Sequence, residues 1–174
     1  MDLGLRRLNG MPHDDAVAHL LRCCGSTAWA SQAARHRPYE SRDELHHVAG
    51  AIWRSLEEPD RLEAFSAHPE IGDRSGGSDE SNSNRWSMDE QAGTTGATSD
   101  VERRLAEANR TYKARFGFIF IIFATGRRAE EMLTDLESRL ENDRAEELRI
   151  ASEHQMRITE LRLDKLLAEL EQDG

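Results

Sequence analysis

Arg115-Phe-Gly-Phe-Ile-Phe-Ile-Ile-Phe-Ala124 is a nearly continuous apolar run, rich in aromatic and β-branched residues. An amphipathic helix needs polar residues on its outer face, and a membrane span needs about 20 apolar residues, so neither fits. The run is expected to be a buried extended segment, at about 117–124, in the middle of the fold. On both sides of it the apolar spacing turns helical. Upstream, Thr98 or Ser99 caps a helix whose face is Val101, Leu105, Ala108 and Tyr112. Downstream of Gly126, Met132, Leu133, Leu136 and Leu140 mark one helix, and a long one runs from near Asp143 to about Leu170.

Further toward the N-terminus, Pro12 with Asp14 and Asp15 opens a helix carrying Val17, Leu20, Leu21 and Cys24, and Gly25 stops it. Ser26 caps a short helix with Trp29, which ends before Pro38. Ser41 with Glu44 has capping-box spacing ahead of the stripe Leu45, Val48, Ala49, Ile52, Trp53 and Leu56. Pro59 begins a helix that the His68-Pro69 pair should end. Gly72 to Arg85 lacks periodicity and is expected to be a flexible loop, about 72–86, after which Ser87 and Glu90 repeat the capping-box spacing. No internal repeat is present. The expected fold is all-α: one single-domain helical bundle over 1–174, wrapped around one short buried extended segment.

The charge balance narrows the function. With 33 acidic and 23 basic residues the net charge is −10, which disfavours nucleic acid and anionic membrane surfaces as partners. A small anionic substrate would need local cations to hold it against the global field. Cys23 and Cys24 are adjacent and form neither a C-x-x-C pattern nor a disulfide framework, so reduced thiols are expected. The N-terminal stretch lacks a signal peptide's apolar core, and the C-terminal Gln-Asp-Gly is not a peroxisomal address. A cytoplasmic protein is the simplest expectation.

Two residues, Arg162 and His68, stand out for chemistry. On the last helix Arg162 falls in the arc of Leu148, Ala151, Ile158 and Leu166, with Gln155 beside it. It is either a cation clamping a planar anion or an Arg whose stem packs while its head finds water or a carboxylate. His68 sits at a helix end before a Gly/Ser-rich loop, where an imidazole is either a proton carrier or an ordinary surface side chain. For Ser87 and Glu90, capping alone explains both side chains. The His46-His47 pair and the His13, His19 spacing match no metal-ligand pattern, and there is neither a nucleotide-binding glycine fingerprint nor a G-x-S-x-G turn. No metal is expected.

Several stretches occur in the order seen in one family. They are Cys23-Cys-Gly-Ser26 with Trp29 and Arg37-Pro38, Ala67-His-Pro-Glu-Ile-Gly72, Trp86-Ser-Met-Asp-Glu-Gln-Ala-Gly93, Asn109-x-x-Tyr112, Arg115 to Ile121, and Ile158-Thr-Glu-Leu-Arg-Leu163. From about Asn9 to Leu167 the chain resembles the 2-oxo-4-hydroxy-4-carboxy-5-ureidoimidazoline (OHCU) decarboxylases. The resemblance implies an all-helical enzyme that needs no cofactor and forms (S)-allantoin in urate breakdown, in a family that includes homodimers. It maps catalytic roles onto His68, Glu90 and Arg162. Substrate contacts map onto Pro69, Ser87, Gln91 and the backbone around Phe118, Ile119 and Ile121. The 72–86 linker carries no family motif.

The implied substrate bears a carboxylate and a hydroxyl on one ring carbon beside an imine. Electrons released with CO2 can enter that imine, so neither a metal nor an organic cofactor is required as a sink. Two other classes are weighed against this. A helical partner-binding module would leave His68, Glu90 and Arg162 dispensable, and a ring-opening hydrolase would need an activated water, for which no metal or nucleophile is evident.

Overall fold

Side-chain caps set the helix starts. In the computed structural model, which describes residues 2–73 and 82–172, Ser26 Oγ accepts the Trp29 N–H at 3.3 Å, Ser41 Oγ that of Glu44 at 3.1 Å, and Thr98 Oγ1 that of Val101 at 3.4 Å. Each satisfies an amide that has no partner inside its own helix. The helices that follow are α1 (Leu3–Gly10), α2 (His13–Cys23), α3 (Thr27–His36), α4 (Arg42–Ser55), α5 (Glu58–Ser66), α6 (Asn82–Glu90), α7 (Ser99–Phe116), α8 (Ala129–Arg139) and α9 (Arg144–Gln172). A single 3-10 turn, Ala92–Thr94, follows α6, and there is no strand among the described residues. The all-α expectation holds.

Two of these helices differ from the sequence reading. The short α1 has no apolar stripe long enough to announce it. It is started by Asp2, whose carboxylate accepts the Leu5 N–H at 2.8 Å, and it buries Leu5 and Leu8. Ser87 is expected to cap a helix but lies inside α6. Its carbonyl accepts the Gln91 N–H at 3.1 Å, and Trp86, Ser87 and Glu90 are all buried. The Ser-x-x-Glu spacing here marks the last turn of a helix and not its first. Of the flexible loop expected at 72–86, residues 74–81 lie outside the described residues, and 82–86 are helical.

The chain forms two compact units. The first comprises 1–64 and 156–174. Within it α2 packs on α3 and α3 on α4, and the Trp29 indole N–H donates to the Ala49 carbonyl at 3.0 Å. Helix α1 approaches the end of α9 so closely that a Cβ on Gly4 would stand 2.2 Å from the Leu167 carbonyl oxygen. Arg22 pairs with Glu169 at 2.5 Å, and Arg42 pairs with both Asp2 and Glu171.

The second unit is residues 65–155. It contains the apolar run, which is irregular from 117 to 124 as expected, with Phe118, Phe120, Ile121, Ile122 and Ala124 buried. Gly117, at φ +81°, ends α7 in the left-handed conformation that glycine adopts without strain. A chain leaving helical geometry inside a core must have its carbonyls and amides satisfied some other way. Arg139, from α8, donates to the Ile121 carbonyl at 2.9 Å, and its guanidinium lies 4.5 Å over the Phe120 ring. Glu147, with no exposed surface, receives Arg139 Nε at 2.6 Å, Tyr112 Oη at 2.5 Å and Asn142 Nδ2 at 2.9 Å. Burial, reinforced by the bond to Glu147, pushes the Tyr112 hydroxyl up, so it remains a donor.

Replacing Glu147 by Gln leaves the buried Arg139 without its counter-charge. Urea unfolding should show a loss of about 3–5 kcal/mol, the usual cost of removing one partner of a buried pair; a loss under about 1 kcal/mol would mean that neutral hydrogen bonding alone suffices.

Candidate active site

His68 is placed by the end of α5. Pro69 prevents the helix from continuing, and the His68 N–H closes on the Phe65 carbonyl at 3.2 Å. The imidazole is half-buried, and its Nε2 lies 2.7 Å from Oε1 of Gln155, a side chain with no exposed surface. The strap that follows, 68–72, is fastened from two sides. Asn109 of α7 donates to the Ile71 carbonyl at 2.9 Å, and the Gly72 N–H donates to Gln91 Oε1 at 3.1 Å. Gly72 has φ +83°, where a side chain would be strained.

The other expected residues of this unit follow from α6 and the inner segment. Ser87 and Glu90 are buried on α6, and Gln91 is half-buried just past its end. With Oε1 engaged by Gly72, the group Gln91 has to offer a ligand is its amide NH2. Phe118 and Ile121 are buried and Ile119 half-buried. Phe118 packs against Phe65 at a ring separation of 5.5 Å, which ties the inner segment to the helix end that precedes His68. His154 Nδ1 accepts the Phe123 N–H at 3.1 Å, so the segment is held at Ile121 and again at Phe123.

Arg162 belongs to the first unit. It is 3% exposed, as its place in the α9 arc predicts, and its Nη1 reaches the Arg22 carbonyl at 3.5 Å. The stripe of α9 that carries it reads Glu147, Ala151, Gln155, Thr159, Arg162, Leu166 and Leu170, all buried at helical spacing. Four of its seven members are polar or charged, which is a costly arrangement unless each is satisfied.

Three residues that the sequence reading left without a role do visible work: Gln155 on His68, Asn109 on the strap and Arg139 on Ile121. Asn109 alone carried a signal, as part of the Asn109-x-x-Tyr112 motif. Among the described residues, no group of three or more His, Cys, Asp or Glu is arranged to hold a metal ion.

The chain is all-α, with an imidazole at a helix end and an irregular inner segment in the same unit, and known helical proteins resemble it in sequence and fold. A family described as OHCU decarboxylase matches residues 9–164. The uric acid degradation bifunctional protein TTL of Arabidopsis thaliana is 43% identical over 148 residues, 84% of this chain, which spans 46% of that protein's length. The 2-oxo-4-hydroxy-4-carboxy-5-ureidoimidazoline decarboxylase of Haloferax volcanii is 28% identical over 93% of this chain and 95% of its own. A crystal structure of OHCU decarboxylase in the presence of (S)-allantoin superimposes with a TM-score of 0.74 at 41% identity, covering 85% of this chain and 96% of the other. The chain belongs to the OHCU decarboxylase family.

The Cys23-Cys-Gly-Ser26 stretch, although part of the resemblance, has the makings of a packed corner. Both thiols are free and buried. Burial pushes each of them up, Cys24 to about 12, so the reactive thiolate is scarce at neutral pH. A thiol reagent at pH 8 should leave the native protein untouched and titrate two thiols once urea is added; rapid labelling of the folded protein would contradict this placement.

Proposed function

We propose that this protein decarboxylates 2-oxo-4-hydroxy-4-carboxy-5-ureidoimidazoline to (S)-allantoin, as a carboxy-lyase of urate breakdown that uses no metal or organic cofactor. Residues 1–174 act as one catalytic domain in the cytoplasm, as a homodimer. The observation that carries the reading is His68, a half-buried imidazole at a proline-stopped helix end, within the stretch matched by the family.

The chemistry asks little beyond orientation and proton handling. The bond from the ring carbon to the carboxylate breaks, CO2 leaves, and its electron pair forms a double bond to the neighbouring carbon as the imine nitrogen takes a proton. The hydroxyl then gives up its proton to become a carbonyl, and the neighbouring carbon gains one on a single face. His68 takes the hydroxyl proton, with Glu90 keeping hydroxyl or imidazole in place. Arg162 supplies the cation that an acidic protein needs for an anionic substrate, and its fork suits a carboxylate or a ureido group. Gln91, Ser87, Pro69 and the backbone at Phe118, Ile119 and Ile121 contribute the remaining contacts, an allocation supported by how many polar groups this small protein keeps away from water.

Circular dichroism of allantoin formed from urate, oxidised in situ by urate oxidase and hydroxyisourate hydrolase, tests the reading. The wild type should speed the rise of the (S)-allantoin signal. His68→Gln should lose about a hundredfold to ten-thousandfold in turnover, and no acceleration by folded wild type would defeat the assignment. Arg162→Ala should raise KM by about tenfold to a hundredfold, the worth of a charged hydrogen bond; unchanged kinetics would remove it from the substrate.

A further inference from the structure

Asn109 has no part in the chemistry proposed above, yet it meets the strap beside Gln91. Residues 70–73 form a turn, closed by the Asp73 N–H on the Glu70 carbonyl at 3.1 Å, with Gly72 third in it at φ +83°. The soft coordinate of such a turn is its central peptide, which stands one way up when the third residue has negative φ and the other way up when φ is positive. Here that peptide joins Ile71 to Gly72, and side chains grip both of its polar groups. Its carbonyl accepts from Asn109 Nδ2 at 2.9 Å, and its N–H donates to Gln91 Oε1 at 3.1 Å. A backbone carbonyl only accepts and a backbone N–H only donates, so the orientation of both side-chain amides is fixed.

Resting on the function proposed above, in which Gln91 touches the substrate, we infer that Asn109 is a positioning residue: by holding the Ile71 carbonyl it turns the Gly72 N–H onto Gln91, and so leaves Gln91 offering the substrate its NH2, a donor. In a trans peptide the C=O and N–H point opposite ways, so fixing one fixes the other. Were the peptide to turn over, a carbonyl would face Gln91, the Gln91 amide would turn over to match, and the substrate would meet an acceptor. That is the wrong polarity for the oxygens of a carboxylate or a ureido carbonyl. Two features suit Asn109 to the task. It stands on α7, a helix of 18 residues, and rigid elements hold side chains better than loops do. It is also buried, as is Ile71, so water does not compete for the carbonyl. Its Oδ1 finds no partner among the described residues. A buried acceptor left unmet is not what stability alone would favour.

Ile71-Gly72 is the sole Ile-Gly pair in the sequence, so protein labelled with carbonyl-13C isoleucine and 15N glycine gives a single NMR cross-peak for this peptide. In the resting wild type the Gly72 amide should exchange with solvent at least about tenfold more slowly than in an unstructured peptide. Asn109→Leu should remove that protection and raise KM by about threefold to tenfold, the worth of one neutral hydrogen bond, with kcat changed less than about twofold. Asn109→Ala serves if leucine at that position does not fold. Gln91→Glu should keep the protection, because a carboxylate also accepts from Gly72, and yet raise KM at least as much, because it has no donor. Added to Gln91→Leu, the change at Asn109 should alter KM by less than about twofold, since it acts through Gln91. An unprotected Gly72 amide in the wild type, protection that survives the loss of Asn109, or KM effects that multiply in the double variant, overturns the inference. Exchange is read without substrate, so an unprotected amide in a working decarboxylase would sink the inference alone, and an Asn109-dependent amide in a protein that does not decarboxylate would count against the proposed function instead.

Discussion

A carboxylate with no exposed surface is tolerated only when donors surround it, and Glu147 is surrounded by Arg139, Tyr112 and Asn142. What this arrangement secures is the irregular run between α7 and α8. Without strand partners or helical bonds, that run depends on donors brought from outside. Arg139 could not be brought inside without Glu147 to neutralise it. The chain of dependence runs from a buried acid on α9, through a guanidinium on α8, to one carbonyl at Ile121, and only then to the apolar packing of Phe118, Phe120 and Tyr112 around it.

The same economy appears at the strap. Asn109 and Gln91, two neutral amides, grip the backbone on either side of Ile71 and Gly72, and a third neutral amide, Gln155, meets the imidazole before it. At these three positions direction is supplied by neutral amides and not by charged groups. In a protein of net charge −10 this leaves the local field near His68 free of added carboxylate from those three positions.

Much of the fold could be read along the chain because its signals are local. Ser26, Ser41 and Thr98 announce helices through bonds that span three residues, and the Phe118 to Ala124 run identifies itself by having no polar face. The exceptions follow the same logic. Asp2 starts a helix too short to show a stripe, and Ser87-x-x-Glu90 fits either end of a helix, so only the bond from Gln91 back to Ser87 separates the two. At the site, His68 is marked by its proline. Its partner, 87 residues away, is not. Nor does anything local distinguish Glu147, which is sealed in, from Glu146, which pairs with Arg149 at the surface. Helical phase alone decides between them, and a phase error of one residue exchanges their fates.

The division of α9 also has a temporal meaning. Residues 65–155 are contiguous, so every partner in that unit has been added to the chain before the last turns of α9 are made. The other unit is interrupted: Arg7 donates to the Leu170 carbonyl, Arg22 pairs with Glu169 and Arg42 with Glu171, all near the far end of the sequence. During synthesis helices α1 to α4 must wait for those residues, so of the two units the one begun first is completed last.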